Sequence, residues 1–406
     1  MQVMIAGAGV GGLAAALALH VAGHDITVFE AAQALLPLGV GINLLPHAAE
    51  VLDQLDLIDT LLAQGVATRE LVYFNRHGQR IWGEPRGRYA GHAAPQISLP
   101  RGALQGALHG AVLNRLGAAR MFCDRRLVRF DQTPDAVRAS FIDAAGSAHE
   151  MVADVLIAAD GIHSVARAQL YPDEGPPAFS GRMLWRAISL ARPFLSGASM
   201  IMAGHQNQKF VAYPIGVVEP GGLQRINWIA ELPAAQAPRR EDWNRLGELE
   251  DFLPRFEGFR FDWLDVPEII RGAEAVFEFP MVDRDPLPRW SHGRMTLLGD
   301  AAHPMYPIGS NGASQAILDA QALAAALTAA PDPIAALAAY EQVRLPVTAA
   351  IVRANRGNGP EQCMQLAEER APAGFSRIED VFAPGELEAI AAQYKALTGL
   401  KPKPTA

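Results

Sequence analysis

Apolar and polar positions change rhythm several times along this chain, and each rhythm predicts a different element. The run Gln2–Ala6 is apolar and leads straight into closely spaced glycines, then an Ala/Leu-rich stretch reaching His20. That order predicts a buried strand, a tight turn and a helix. A second strand is predicted over Asp25–Phe29, ending on Glu30. Val51, Leu52, Leu55 and Ile58 fall on one face of a predicted helix, as do Leu104, Leu108 and Val112 after Arg101. Residues 71–97 read as short strands with Gly/Pro turns, and 153–159 as a continuous apolar run of the kind found in central parallel strands.

The texture changes at about residue 176. The runs 183–188, 210–215, 226–232 and 275–281, separated by Gly and Pro, predict strands of a mainly antiparallel sheet. Trp185, Trp228, Trp243 and Trp263 all lie in this part. Residues 295–298 restore the buried-strand pattern, and long Ala-rich helices are predicted from about 314 to 330 and 333 to 355. The expected fold is α/β: a Rossmann-like nucleotide-binding domain with an inserted, mainly antiparallel β-sheet domain and C-terminal helices. The expected boundaries are 1–175 for its first part, with short β insertions at about 71–97, then 176–285 for the inserted substrate domain. The second part is expected over 286–355, followed by a helical segment and tail over 356–406, disordered around Lys401-Pro402-Lys403-Pro404.

Composition narrows the chemistry. A net charge of -8 argues against sequence-independent nucleic-acid binding, which needs clustered Lys and Arg. The apolar start lacks a basic leader and is broken by glycines, and no run approaches the roughly 20 apolar residues of a membrane span. A cytoplasmic protein without membrane association is expected. Cys123 and Cys363 are far apart and have no partners at ligand spacing, so neither a disulfide framework nor a metal site is expected.

The glycine turn carries the first functional signal. Gly7, Gly9 and Gly12 follow a strand, open a helix and precede Glu30 by about 20 residues. In that context glycines permit the tight turn, close backbone approach to a pyrophosphate and close helix packing, while the helix N-terminus favours an anion. Glu30 stands where a carboxylate holds an adenosine ribose hydroxyl, or else is simply solvated.

Two further segments sharpen the reading: Asp160-Gly161-Ile162-His163-Ser164-Val165-Ala166-Arg167 and Gly299-Asp300-Ala301-Ala302-His303-Pro304. Together with the first turn they resemble the single-component FAD-dependent aromatic hydroxylases, the group of p-hydroxybenzoate and salicylate hydroxylases. The resemblance spans roughly residues 1 to 350 and extends toward hydroxylases of phenazine carboxylates through Pro37-Leu38-Gly39-Val40-Gly41-Ile42-Asn43, Val211-Ala212-Tyr213-Pro214-Ile215 and 280–288. It implies noncovalent FAD, NADH or NADPH as transient reductant, O₂, and a flavin C4a-hydroperoxide that hydroxylates a planar aromatic substrate, with or without decarboxylation. A phenazine-carboxylate-like ring is the first expectation; a smaller phenolic acid or a hydroxyquinoline is the second. A flavin dehydrogenase, a halogenase and a non-catalytic flavin redox sensor are the rivals, and either a monomer or a homodimer is compatible.

By the same resemblance Asp300 holds a ribityl hydroxyl, unless it only caps a helix, and Arg101 faces the phosphates or ribityl chain with Gln105 beside it. Gly41 and Gly299 belong to the same cradle. Asp160 and Gly161 line the groove for FAD and nicotinamide, with Arg167 fixing that loop by an ion pair. Pro307, Gly309, Asn311 and Gly312 pass the isoalloxazine edge, where backbone N–H groups stabilise negative charge; Pro307, Asn311 and Gly312 are the catalytic candidates. Two positions depart from the family pattern: Ser310 replaces a glycine of the ring-edge turn, and Leu318 replaces an acid beside Asp319. Candidate walls of the substrate pocket are His47, Trp185, Arg186, Phe210, Tyr213 and Trp228. Since strand side chains alternate, Trp185 and Arg186 cannot both point inward.

Overall fold

The computed structural model describes residues 1–36, 39–235, 245–357 and 359–398. Two sheets organise these residues. The first has six strands in the order Ser291–His292, Met295–Leu297, Val155–Ala158, Gln2–Ala6, Asp25–Phe29, Met121–Phe122. All neighbours are parallel except the first pair. Its central strands are buried apart from Gln2, which explains why they read as unbroken apolar runs from Val3 and from Val155. Helices Val10–Val21 and Gly312–Ala329 pack together beside it, where Gly11 leaves room for Leu298 and Ala316.

The second sheet has seven strands in the order Phe277–Asp283, Ala178–Ala191, Gln224–Pro233, Gln208–Pro214, Ser199–His205, Glu70–Phe74, Arg80–Pro85. Only the pair Ser199–His205 and Glu70–Phe74 is parallel. The last two strands come from the region read above as insertions within the nucleotide-binding part, so this sheet is assembled from both sides of residue 176. Ser199–His205 escapes the sequence pattern because it is buried on both faces and shows no alternation. One face of this sheet is covered by Leu249–Phe256 and Val266–Arg271, two short helices inside the region read as all strand. The other face turns toward the first sheet and walls a cavity of about 350 Å³.

Local departures have local causes. The single helix predicted through Val51 and Ile58 is two, Pro46–Gln54 and Ile58–Gln64, because Asp56 takes a left-handed conformation between them (φ 54°). Beyond Pro333–Arg356, helices Gln362–Arg370 and Glu386–Thr398 continue the chain, the former lying against the seven-stranded sheet. No helix among the described residues is long and apolar enough to cross a membrane. Pro37, Leu38, Trp243 and the tail lie outside the described residues.

Candidate active site

The glycine turn is built as its spacing predicts, and each glycine answers a different constraint. Gly7 has φ 110°, and a Cβ there would lie 2.2 Å from the Ala159 carbonyl oxygen. A Cβ on Gly12 would meet the Gly7 carbonyl oxygen at 2.0 Å, whereas one on Gly9 would meet nothing within 4 Å. Gly9 therefore leaves open space at the N-terminus of Val10–Val21, where free N–H groups and the helix dipole face the cavity. Glu30 is not merely solvated: its carboxylate accepts the Ala8 N–H at 2.7 Å and the Ala32 N–H at 2.8 Å. Gln105 donates to the Ala8 carbonyl at 3.1 Å and so buttresses the turn from behind rather than lining the cavity.

Next to this turn, where Leu298 packs against Gly11, Gly299–Ala301 carries Asp300 to the cavity wall. The Asp300 carboxylate is exposed and makes no hydrogen bond among the described residues; Gly299 accepts the Ala302 and His303 N–H groups, and no side chain caps the turn. Arg101 lines the same wall, and the Asp300 charge opposes the lowering that burial imposes on its guanidinium. An open helix N-terminus, an unengaged carboxylate and an arginine on one wall fit a dinucleotide with a pyrophosphate and a hydroxylated chain.

The Asp160 and Gly299 loops are tied from behind. Asp160 Oδ2 accepts the Val165 N–H at 2.8 Å at the start of the short helix Val165–Leu170, which the Ser164 side chain caps, while Oδ1 is buried without a partner among the described residues. Burial raises the Asp160 pKa. Gly161 reaches the cavity, but Asp160 does not. Arg167, 1 % exposed, pairs with Glu174 through two nitrogens and also donates to the Ala301, Ala302 and Asp285 carbonyls. It is a structural cross-tie between the two loops and does not line this cavity.

Residues 307–312 form the far rim, with Pro307, Ser310, Asn311 and Gly312 on the cavity and Gly309 behind them. Gly309 has φ 67°, and a Cβ on it would lie 2.2 Å from the Tyr394 hydroxyl. Ser310, in place of a glycine, also takes positive φ, 56°. The Asn311 side chain is consumed internally: Nδ2 donates to Tyr394 Oη at 2.9 Å, and Oδ1 accepts from Gln315 at 3.2 Å. What Asn311 and Gly312 offer the cavity is therefore backbone at the start of Gly312–Ala329. Beneath the rim Asp319 binds Arg344 at 2.7 Å and His303 at 2.5 Å, and these partners outweigh burial to hold its carboxyl at about 2. Asp319 also accepts the Gly299 N–H at 3.2 Å, so it ties the rim helix to the Asp300 turn with Leu318 beside it.

Side-chain alternation decides the substrate wall. Leu184 and Arg186, Lys209, Val211 and Tyr213, and Ile229 and Glu231 face the cavity. Trp185, Phe210 and Trp228, proposed above as wall residues, point the other way into the core under the two short helices. Trp185 stacks on Phe252 at 5.0 Å, Phe210 approaches Phe256 at 6.2 Å, and Trp228 donates to Ser189 at 2.9 Å. His47 is also off the cavity, partly buried with Nε2 3.5 Å from Gln315 Nε2, and burial lowers its pKa to about 4.

Arg186 is the unusual member of the wall. It donates to the Gly41 carbonyl at 3.0 Å, its Nε is buried without an acceptor, and no carboxylate pairs with it among the described residues. The Tyr213 hydroxyl lies beside Arg186, Asn227 and Asn43; burial raises its pKa against their influence. Gly41 is needed for this junction, since a Cβ would strike Asn227 at 2.7 Å. Sequence reading missed Lys209, Glu231 and Glu361 on the wall. Lys209 Nζ lies 2.6 Å from Glu231 and 2.5 Å from Glu361. The two carboxylates outweigh burial and raise the Lys209 pKa, while burial raises that of Glu361. Lys209 stands four residues before Tyr213, which would have placed it on the same strand face.

A nucleotide cradle joined edge to edge with an apolar cavity on a mainly antiparallel sheet is the architecture of an FAD-dependent aromatic monooxygenase. Residues 1–355 match the FAD binding domain family, and the chain belongs to it. It is 45% identical over 362 residues to a phenazine 1,6-dicarboxylic acid hydroxylase of Lysobacter antibioticus, covering 87% of this chain and 89% of that protein. A 3-amino-4-hydroxybenzoate 2-monooxygenase of Streptomyces platensis is 32% identical, with 93% and 94% covered. The fold also matches a solved structure of Klebsiella pneumoniae HpxO with FAD and uric acid (TM-score 0.73, 22% identity, 98% and 93% covered).

Proposed function

We propose that this FAD monooxygenase uses NADH or NADPH and O₂ to hydroxylate a planar, fused-ring aromatic carboxylate of the phenazine type. The observation that carries the proposal is Arg186: a half-buried guanidinium with no counter-ion among the described residues, on a cavity wall beside apolar Leu184, Val211 and Ile229 and continuous with the flavin cradle. A carboxylate on a flat ring supplies the missing charge, and charge-assisted pairing fixes which ring edge faces the flavin. The 45% identity to a phenazine dicarboxylate hydroxylase supports the same ring class. Bound FAD would supply the oxidising chemistry; the chain's part is to bind, orient and exclude water.

In this reading Gly7, Gly9 and Gly12 admit the pyrophosphate and Glu30 meets the adenosine ribose. Arg101 and Asp300 hold the phosphate and ribityl chain, with Gly41, Gly161 and Gly299 giving the backbone room to approach. Pro307 and the N–H groups at Asn311 and Gly312 face the isoalloxazine edge, where a helix N-terminus stabilises negative charge. Arg186 and Tyr213 orient the substrate. Hydroxylation at the carboxylate-bearing carbon of an N-methylated ring would release CO₂ and leave a phenol.

The test is an absorbance screen of phenazine carboxylates, phenolic acids and hydroxyquinolines for stimulated NAD(P)H oxidation, with product mass spectrometry. Phenazine carboxylates should stimulate turnover and gain one oxygen, with loss of CO₂ where attack falls on the carboxylate-bearing carbon. Turnover of one-ring phenolic acids alone would overturn the fused-ring assignment, and no stimulation with any aromatic would favour a flavin redox sensor.

A further inference from the structure

The mechanism above leaves one charged cluster unused. Lys209, Glu231 and Glu361 are 3 %, 2 % and 6 % exposed, yet all three line the substrate cavity. Arg182 adds a contact to Glu231 at 3.3 Å. Stability alone is a weak reason to keep such charges, because buried ion pairs roughly break even against apolar residues of similar size. Their bonding is also unequal. Glu231 spends one oxygen on Arg182 and the other on Lys209, whereas Glu361 spends only Oε2, leaving Oε1 without a protein donor among the described residues.

Position gives the cluster a meaning. Lys209, Val211 and Tyr213 alternate along one strand face, so Lys209 lies about 13 Å from Tyr213 at roughly 3.3 Å per residue. Along this strand face of the cavity Tyr213 sits with Arg186, Lys209 sits with Glu361 four residues away, and Val211 and Ile229 lie between them. Glu361 comes from the turn Gly359–Glu361, beyond the residues that match the family.

Building on the fused-ring carboxylate reading, we propose that Glu361, held in place by Lys209, is a second recognition pole. Its free oxygen accepts a hydrogen bond from an N–H or O–H substituent on the ring end remote from the carboxylate. The cavity then selects rings that carry a carboxylate at one end and a donor at the other.

The experiment compares FAD-loaded wild type with Lys209→Met/Glu361→Met and with Glu361→Gln. Each is titrated, without reductant, with phenazine-1-carboxylate and with 6-hydroxyphenazine-1-carboxylate, following the flavin spectrum. Wild type should bind the hydroxylated ring about tenfold or more tighter, the size expected for a charge-assisted bond. The double variant should bring the ratio to about one, and Arg186→Met should weaken both ligands alike. If the double variant does not load FAD, Glu361→Gln decides, with the ratio falling at least threefold. An unchanged ratio in the folded variants would overturn the second pole and leave the cluster as a tie between the C-terminal segment and the sheet. Failure of wild type to bind either carboxylate would instead remove the fused-ring reading, and this inference with it.

Discussion

Removing the Asp300 carboxylate tests the cofactor cradle at its most exposed point. Asp300 reaches the cavity and makes no hydrogen bond among the described residues, so Asp300→Ala removes from the folded chain only its charge interaction with Arg101. On the proposed cofactor role, what it deletes is a charge-assisted hydrogen bond to FAD, worth roughly 1.5 to 3 kcal/mol. At about 1.4 kcal/mol per decade, affinity for FAD should fall between tenfold and somewhat over a hundredfold. A second effect pulls toward the lower end: without Asp300, nearby Arg101 loses the negative charge that favours its protonated form and presents a less compensated cation to the phosphates. Asp300→Asn keeps an acceptor without the charge and should fall between the two. Titration of apoprotein with FAD by fluorescence quenching measures the loss, and thermal unfolding of the apoproteins controls for folding. An FAD affinity within twofold of wild type, together with a lowered apoprotein midpoint, would refute the reasoning and make Asp300 a structural cap.

Other perturbations address single features. His47 has a folded pKa of about 4 against 6.5 when unfolded, so the unfolded chain takes up the proton first as pH falls. Its contribution is present above about 6.5 and lost toward 4, at most about 3 kcal/mol, and His47→Leu should flatten chemical denaturation midpoints across that window. Ser310→Gly relieves a left-handed serine worth about 1 to 2 kcal/mol of strain, less about 0.5 to 1 for glycine entropy, so the melting temperature should hold or rise, whereas a fall would contradict the strain. Tyr394→Phe strips the hydroxyl that contacts Asn311, Asn355 and the Ile308 carbonyl, and should destabilise by about 1 to 3 kcal/mol in urea unfolding. Heat or acid denaturation of purified protein should release its yellow colour as free FAD; retained colour or recovered FMN would count against the noncovalent cradle.

Local chemistry made much of the cradle legible. A strand, Gly7, Gly9 and Gly12, and a helix are consecutive in sequence, and their spacing alone dictates the turn. The substrate wall was legible only up to a twofold choice. Alternation says that Trp185 and Arg186 face opposite ways but not which faces the cavity, because both sides of that sheet are buried. The choice fell to Leu249–Phe256 and Val266–Arg271, whose helices cover the aromatic side and were hidden in a stretch read as strands. Glu361 was out of reach for another reason: it meets Lys209 across 152 residues, and no local periodicity encodes such a pairing.

The alternating strands of the seven-stranded sheet separate two kinds of evolutionary pressure. Odd residues of Gln208–Pro214 meet the ligand space, while Phe210 and Ala212 hold the core, and the same division runs through Gln224–Pro233. Point substitutions at the cavity positions can retune which molecule is accepted without disturbing the packing that keeps the chain folded. A one-residue insertion in any of these strands has no such freedom, since it would exchange charged wall for aromatic core in a single step. Diversification of this scaffold should therefore proceed by exchanges at fixed positions, with length changes confined to the loops between strands.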